Sequence, residues 1–544
     1  MTTSFRPTPA GVRLCAAALI AGAAAVASPA ADLCKGLVQD RAPHPMTPLA
    51  RPALGQAVRD PQFGVRLRRI TAVSPGGATD AAVRPLYSTV SAWNADESRL
   101  LLYRVGGGHQ LYDGRTYAFI RALGIAPNDI EQVYWHTSDP DVFFFPSGNR
   151  LVRYRVSTAA QETVRVFGFC TGPVSAGPDP MFTAWDSSAL GLACGGRGFV
   201  YQLSTDTVRG LDAGVGAAPQ VAPGGALAWV GGEVRDLDLR FLRRLDLGNP
   251  LEHAMLGRTA AGRDTFDTVA FDPGPAGSGV GSLVTFDLQS GSARVVVGPA
   301  TGYPYPPSGT HVSTLAYREP GWAFLSIVGD PTGQGVLDNE LVLAHTGGGP
   351  VCRLAHHRSW GRHNTRLQDS YWAEPHVVAS PTGTRALYAS DWGNGTTVDA
   401  YVLELPGYQP LRLAVATDRA AYTAGTTMTV STTTANLGLP ESADLYFTVV
   451  LPDGDQAVSL TPSGSVFGRV SQPSSLVPLV TGLDLRRPFQ SSLASFLTHT
   501  WTGGEPAGTY MLVAAAFRPG SLADNRIDAD DLIAMGMARP AFTR

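Results

Sequence analysis

Short apolar runs alternate with polar turns along most of the chain, from about residue 85 to about residue 410. Each repeat holds an apolar run, a turn rich in Asp, Pro, Gly or Ser, a second apolar run and a further hairpin. The runs are rich in Val, Leu, Phe, Tyr and Trp, which favour β-strands, and the turn residues are those of tight hairpins. Helical periodicity is nearly absent, so the pattern predicts an all-β chain. The repeat is clearest in VSAWNADESRLLLYRV (90–105), QVYWHTSDPDVFFFPS (132–147), FTAWDSSALGLACGG (182–196), HVSTLAYREPGWAFLSI (311–327) and HVVASPTGTRALYAS (376–390).

The repeats recur at roughly 40 to 50 residues, a period typical of β-propellers, in which four-stranded blades cover one another's faces. We expect a propeller over residues 63–410. The period gives roughly seven blades, and six or eight stay open because residues 215–300 are the least regular. The segment FGVRLRRITAV (63–73) is a candidate for the strand that closes the ring with the last blade. Residues 31–62 would form an N-terminal extension.

The pattern changes near residue 411. Apolar residues now alternate with Thr and Ser, as in YTAGTTMTVSTTTANLG (422–438), ADLYFTVVLPDGD (443–455) and PAGTYMLVAAAFRPG (506–520). Such alternation, with Gly, Pro and Asp in the turns over about 130 residues, is typical of an immunoglobulin-like β-sandwich. We therefore expect a sandwich of this kind over residues 411–544.

The first 30 residues have the pattern of a signal peptide. Arg6 and Arg13 precede the apolar run LCAAALIAGAAAVA (14–27), and the small residues SPA end at Ala30. No later segment approaches the roughly 20 apolar residues of a membrane span. We expect a secreted or periplasmic monomer with no transmembrane segment in the mature chain. The net charge of −3 gives no long-range attraction for nucleic acid.

Once Cys15 leaves with the leader, four cysteines remain: Cys34, Cys170, Cys194 and Cys352. An even number in an oxidising compartment favours disulfides. Cys170 and Cys194 are the expected local pair, and the other two cysteines would then pair with each other. The sequence has no CxxC motif, which argues against a structural zinc site.

Histidine is the clearest chemical feature, since GxSxG, HExxH and P-loop motifs are missing from the sequence. Six of the eleven histidines fall between residues 311 and 376. His311 and His376 hold matching places at the first strand of two repeats, and strand alternation puts Glu374 on the same side as His376. First strands line the centre of a propeller, so these side chains would converge as a site for Mn, Fe, Ni or Zn. The alternative is that they only hydrogen-bond carbonyls or water in a polar channel.

Two segments near the end of the repeats resemble a known family. VCRLAHHRSW (351–360) and YWAEPHVVASPTGTRALYASDWG (371–393) are similar to the last blades of oligogalacturonate lyases, secreted or periplasmic polysaccharide lyases with a TolB-like hairpin repeat. In that family a motif Q-x-x-H-x-H-P-x-x-S-P supplies metal ligands. His376 stands four residues before Ser380 and Pro381, and so matches the second histidine of the motif.

The remaining ligand positions follow from the same resemblance. Glu374 stands where the first motif histidine would be and Tyr371 where the glutamine would be. His311 is the candidate for the histidine that the preceding blade contributes. The resemblance therefore implies a divalent metal, Mn or Ca, held by His311, Glu374, His376 and Tyr371. A carboxylate can still bind metal, whereas a tyrosine would be an unusual ligand.

The implied activity is β-elimination on a uronate-containing polysaccharide, in which a base removes the proton beside a metal-neutralised carboxylate. His253 is the first candidate for the base, ahead of His109 and His136. Arg358 or Arg362 would pair with substrate carboxylates. The competing hypothesis is a non-catalytic propeller that binds extracellular polysaccharide or a cell-surface protein, with the sandwich as a spacer or adhesion module.

Overall fold

A computed structural model describes residues 32–74, 81–177, 183–247, 253–270, 279–303, 311–360 and 370–544. The expected leader over residues 1–30 lies outside these ranges. The described chain is all-β, as the sequence predicts, and its helices are short 3-10 turns at Pro299–Thr301, Ser370–Ala373, Pro473–Ser475 and Ser521–Asp524. Within the described ranges, these turns are too short to cross a membrane.

The described chain separates into two compact units, with the boundary between Tyr408 and Gln409. The first unit holds 28 strands. They are β1 (Ala57–Arg59), β2 (Arg66–Arg69), β3 (Ala81–Arg84), β4 (Arg99–Arg104), β5 (Gly108–Asp113), β6 (Phe119–Ala122), β7 (Tyr134–Trp135), β8 (Val142–Ser147), β9 (Arg150–Arg155), β10 (Ala160–Val166), β11 (Ala189–Cys194), β12 (Arg197–Gln202), β13 (Thr207–Arg209), β14 (Gln220–Val221), β15 (Leu227–Val230), β16 (Glu233–Asp236), β17 (Phe241–Arg244), β18 (Ala254–Arg258), β19 (Asp264–Ala270), β20 (Ser282–Asp287), β21 (Ala293–Val297), β22 (His311–Ser313), β23 (Trp322–Ile327), β24 (Glu340–His345), β25 (Val351–His356), β26 (Val378–Ala379), β27 (Arg385–Ser390) and β28 (Thr397–Glu404).

The strands of the first unit pair as seven small antiparallel groups in chain order. Groups 1 to 6 are β3–β6, β7–β10, β11–β13, β14–β17, β18–β21 and β22–β25, and group 7 is β26, β27, β28, β2 and β1. A short parallel pairing of β28 with β3 joins the last group to the first. Groups 1 to 6 are meanders of local hairpins, as is the part of group 7 from β26 to β28, which is why the turn pattern of the sequence predicts these strands so well.

Neighbouring groups pack face to face, so their middle strands are covered on both sides. All eight residues of β28 are buried, whereas β10, an outer strand, is mostly exposed. Strands near the beginning of adjacent groups touch in order, since β18 contacts β22, β22 contacts β26, and β27 contacts β3. Burial on both faces explains the near-continuous apolar runs of these strands.

A small cavity of about 40 Å³ marks where the groups meet. Six successive groups contribute to its wall, for example through Ser91, Trp135, Trp185, Val221, Met255 and Leu315. The six groups therefore bring residues on or next to their strands to a common centre.

The segment that precedes group 1 completes the last group. β2 pairs antiparallel with β28, with Leu67 opposite Leu403, as the sequence predicts for the segment 63–73. Leu67 is fully buried, so this pairing adds core contacts as well as backbone hydrogen bonds. β1 then pairs with β2 at the edge of the group.

Two disulfides lie in the first unit, in the pairs expected from the sequence. Cys34 is bonded to Cys352, and Cys170 is bonded to Cys194. The first bridge, together with a backbone bridge between Val38 and Arg353, fixes the N-terminal extension against β25.

The turn between β26 and β27 needs a glycine. Gly383 has φ of +66°, in the left-handed region that other residues rarely adopt. A Cβ atom at this position would also lie 2.5 Å from Cδ1 of Leu33. The SPTG turn of the sequence is thus explained by the backbone of this hairpin.

The second unit, from Gln409 onwards, holds twelve strands. They are β29 (Leu411–Thr417), β30 (Ala421–Thr423), β31 (Thr427–Asn436), β32 (Ser442–Val450), β33 (Gln456–Thr461), β34 (Gly464–Arg469), β35 (Val480–Asp484), β36 (Phe489–Thr500), β37 (Gly508–Thr509), β38 (Met511–Phe517), β39 (Leu532–Ala538) and β40 (Ala541–Thr543).

These strands form a sheet β34-β33-β32-β38-β39, to which β35 adds beside β32, and smaller sheets β29-β31-β36 and β30-β40-β37. In β29, buried Leu411, Leu413 and Val415 alternate with exposed residues. The buried set packs with Val430, Leu512 and others in one core. The alternating pattern of this part of the sequence therefore corresponds to strands with one buried face.

Candidate functional site

Three side chains named from the sequence meet at the beginning of groups 6 and 7. His311 is the first residue of β22, and His376 comes two residues before β26. Glu374 follows the 3-10 turn Ser370–Ala373. Adjacent groups place the starts of their first strands side by side, so equivalent positions in two repeats become neighbours in space.

The donor atoms of His311, Glu374 and His376 all lie within 4.8 Å of one another. A carboxylate oxygen of Glu374 is 4.0 Å from Nε2 of His311 and 3.9 Å from Nε2 of His376. The two imidazole centroids are 3.9 Å apart. This spacing is compatible with one ion shared by all three, since bonds to such ligands are about 2 Å long.

His376 is held as a neutral imidazole. Its Nδ1 donates a hydrogen bond to the carbonyl oxygen of Glu374 at 2.9 Å, which fixes the tautomer with a lone pair on Nε2. Burial lowers the pKa of His376 well below its usual value, and the positive charge of Arg84 lowers it further. Within the described residues, Nε2 is buried and makes no hydrogen bond. A buried imidazole nitrogen in this state is suited to binding a cation.

The backbone at His376 is strained in a way that fits a functional position. Its φ is +42°, although the residue carries a side chain. Such conformations are rare outside glycine and cluster at functional sites. The conformation allows the ring to turn back toward the carbonyl of Glu374.

Two imidazole nitrogens and one carboxylate oxygen fit a transition-metal ion. Mn, Fe, Ni and Zn accept this donor set, whereas Ca²⁺ prefers six to eight oxygen ligands. The cluster therefore fits Mn better than Ca, the two ions implied by the resemblance. We refer to these three residues below as the His-Glu-His cluster.

His253 lies directly beside the cluster. Its ring stacks on that of His311, with centroids 4.2 Å apart and planes 21° apart. His253 immediately precedes β18, so group 5 supplies it from the same position as the other two histidines. Among the three histidines considered as a base, it is the one in contact with the cluster.

The other two candidates for the base, His109 and His136, form hydrogen bonds away from the cluster. Nε2 of His109 bonds the carbonyl oxygen of Ile130 at 2.7 Å, and burial lowers the pKa of His109. Nδ1 of His136 accepts a hydrogen bond from the backbone N–H of Asp139 at 3.0 Å. Both rings thus have local structural contacts.

Tyr371 packs on the cluster, but its hydroxyl bonds Glu131 and does not point to the three donor atoms as a fourth ligand would. The ring lies edge-on to His376 at 4.8 Å, and the hydroxyl donates to a carboxylate oxygen of Glu131 at 2.6 Å. Burial raises the pKa of Tyr371, so the hydroxyl stays protonated. The geometry gives Tyr371 a place in the wall of the site, while the ligand atoms come from the cluster.

The two arginines proposed for substrate binding are not both placed. Arg362 lies outside the described residues. Arg358 donates to the carbonyl oxygen of Thr47 at 2.7 Å and lies 3.4 Å from the carboxylate of Asp60. Its guanidinium is thus already engaged with the N-terminal extension.

The structure adds residues that the sequence did not indicate. The Tyr87 ring contacts both His311 and His376, with centroids 5.4 and 5.3 Å away. The guanidinium of Arg84 lies 4.7 Å from the centroid of the Tyr371 ring. Both come from the region of β3, and Glu131 comes from group 2. No local motif marks them, because only contacts between segments far apart in sequence bring them to the cluster.

Comparison with known protein families and with curated proteins gives no match. Among solved structures, the chain is similar to the crystal structure of oligogalacturonate lyase from Vibrio parahaemolyticus, with 13% sequence identity and a TM-score of 0.45. The match covers 65% of this chain and 97% of the other.

Proposed function

We propose that the first unit is a seven-bladed β-propeller of the TolB-like type and that the second is an immunoglobulin-like β-sandwich. The seven groups, the pairing of β2 with β28 and the shared central cavity support the propeller. The one-sided burial of strands such as β29 supports the sandwich. The corresponding domains are residues 63–410 and 411–544.

The protein is proposed to be exported, as a secreted or periplasmic monomer whose residues 1–30 are removed. The observation in favour is the presence of two disulfides, which form and persist in oxidising compartments. Its partner would then be an extracellular polysaccharide or a cell-surface protein.

The proposed activity is metal-assisted β-elimination on a uronate-containing glycan. The observation that carries this proposal is the convergence of His311, Glu374 and His376 with His253 stacked beside them. A divalent cation bound there would neutralise a uronate carboxylate and so acidify the adjacent C–H group.

The residues around the cluster would supply the remaining chemistry. His253 is the candidate base that takes the proton beside the carboxylate. The electron pair of that C–H bond becomes a carbon–carbon double bond as the bond to the glycosidic oxygen breaks. The oxygen leaves with the electron pair of the broken bond and takes up a proton from water. Tyr87 and Tyr371 pack against the histidine rings and hold them in place.

Purified protein incubated with pectic, ulvan-like or glycosaminoglycan substrates and Mn²⁺ should produce the ultraviolet absorbance of an unsaturated uronate. We expect His253→Ala to lower the rate by about 100-fold or more while Mn²⁺ binding is kept. His376→Ala should lose both activity and Mn²⁺ binding, measured by elemental analysis. His44→Ala is the matched control, since the ring of His44 bonds Asp40 in the N-terminal extension and was never a candidate for the base.

The outcomes separate the two functional hypotheses. Absence of product on every substrate together with absence of bound metal would refute the lyase. Tight binding of a polysaccharide without any product would instead support the non-catalytic platform.

A further inference from the structure

Almost all of the most deeply buried arginines in the first unit bind a glutamate, and Arg84 is the exception. Among the described residues of this unit, four arginine side chains are less than 2% exposed: Arg68, Arg84, Arg353 and Arg385. Three of them bind a glutamate, with N–H donors to carboxylate oxygens at 2.9 Å (Arg68 to Glu404), 2.7 Å (Arg353 to Glu340) and 2.7 Å (Arg385 to Glu97). Among the described residues, Arg84 has no acidic side chain within ion-pair distance.

The contacts of Arg84 use only part of its guanidinium. Nε donates to the carbonyl oxygen of Pro85 at 3.0 Å, and Nη1 donates to that of Tyr371 at 3.2 Å. Nη2 is buried and makes no hydrogen bond within the described part of the chain. The rings of Tyr371 and Trp372 lie 4.7 and 5.5 Å from the guanidinium carbon.

Arg84 and Glu131 both act on the hydroxyl of Tyr371, but no carboxylate of the described residues forms an ion pair with Arg84. A buried cation without a directly bound counter-ion is costly, and such groups are concentrated at functional sites. The aromatic faces stabilise the charge only in part. Arg84 also lies near the metal candidates. The ring of Tyr371 contacts both the guanidinium of Arg84 and the imidazole of His376. The missing counter-ion would therefore be expected close to the metal candidates.

We propose that Arg84 binds a carboxylate of the ligand that enters the His-Glu-His cluster, and that the site thereby selects acidic glycans. The need for an anion rests on Arg84 itself, while the class of ligand rests on the proposed function. Arg84 adds a third candidate to Arg358 and Arg362, which the sequence suggested for this role.

The chemistry of Arg84 suits this role. Nη2 carries two N–H groups that can donate to a carboxylate, and a charge-assisted hydrogen bond of this kind is strong in a site shielded from water. Glu374 would repel an anionic ligand, and the charge of Arg84 offsets that repulsion. Tyr371 and Trp372, whose rings lie against the guanidinium, are themselves half-buried.

The test compares trigalacturonate with its fully methyl-esterified form by calorimetric titration of the full chain, with and without Mn²⁺. The unmodified protein should bind the acid at least about 10-fold more tightly than the ester. Arg84→Gln should weaken binding of the acid by about 10-fold to 100-fold and leave binding of the ester within about twofold. Arg104→Gln, an exposed arginine on the neighbouring strand β4, should change neither affinity.

Equal losses for both ligands, or no loss for either, would overturn the role of Arg84. If Arg84→Gln does not fold, as judged by thermal melting, Arg84→Lys decides the question. A lysine lacks the fork of N–H groups, so a preference for the acid that falls by at least about threefold supports the proposal, and an unchanged preference overturns it.

The two proposals fail in distinguishable ways. Preference for the acid that depends on Arg84, without any elimination product, would leave this inference standing and refute the lyase. Elimination at an unchanged rate in Arg84→Gln would leave the lyase proposal standing and refute the role of Arg84.

Discussion

Asp267 in β19 is a fully buried carboxyl group far from any basic partner in the described structure. The hydroxyls of Thr265 and Thr285 donate hydrogen bonds to it. Burial raises the pKa of Asp267 to about 6, and these two hydrogen bonds lower it in part. An unfolded aspartate titrates near about 3.9, so the folded protein holds this proton more tightly than the unfolded chain does.

We therefore expect Asp267 to make the first unit less stable as pH rises. The stabilising contribution is fully present below about pH 4 and is lost as pH rises through about 6. Between pH 4.5 and 7.5, the free energy of unfolding should fall by about 2 kcal/mol more in the unmodified protein than in Asp267→Asn. Urea unfolding at the two pH values measures this, and parallel pH dependences would contradict it.

The His-Glu-His cluster could be predicted from the sequence, but some of the residues around it could not. Aligning the repeats by their turns is enough to pair His311 with His376, because equivalent positions of adjacent groups become neighbours. Arg84 could not be found in this way, since it lies on another group and has no equivalent partner in the repeats. Arg358, close to the motif in sequence, is instead engaged with Thr47 and Asp60.

The hairpin is the element that the sequence specifies best. Its turn residues and apolar runs are local, so strands such as β8, β11 and β27 could be predicted from short windows. Residues 215–300 looked irregular, yet the described parts of this range hold groups 4 and 5. The longer connections in this range, LDLGNPLEH (245–253) and FDPGPAGSGVG (271–281), obscure the period of the repeats in the sequence.

The disulfide between Cys170 and Cys194 joins β11 to the loop that precedes it, across a separation of 24 residues. We expect Cys170→Ala combined with Cys194→Ala to destabilise the first unit by about 3 kcal/mol, because the unfolded chain is no longer constrained. Denaturant unfolding of the variant and of the unmodified protein under oxidising conditions measures the difference.

Adding a reductant gives the control for this pair of substitutions. It should lower the stability of the unmodified protein and have a smaller effect on the double variant, in which only the bridge between Cys34 and Cys352 remains. Equal stability of the two proteins under oxidising conditions would show that the bridge contributes nothing.

At the scale of the whole first unit, the pairing of β2 with β28 decides whether the last group is complete. Leu67 is fully buried in this pairing. Leu67→Asp should destabilise the first unit by about 4 kcal/mol or more, because it buries an unpaired charge and removes core contacts. Phe119→Asp is the matched control, since Phe119 is 55% exposed on the outer strand β6.

Thermal unfolding of both variants, followed by circular dichroism, checks this expectation. A Leu67→Asp protein as stable as Phe119→Asp would mean that β2 adds little to the first unit.

The same pairing sets the order in which the chain can fold. Arg68 in β2 and its partner Glu404 in β28 are 336 residues apart in sequence. Contacts of such range form slowly, and local hairpins form long before them. The first unit cannot reach its native state until its last strand has been synthesised, so its last group stays incomplete until β28 leaves the ribosome. For the export proposed above, this delay keeps the chain in a state that can still be threaded across a membrane.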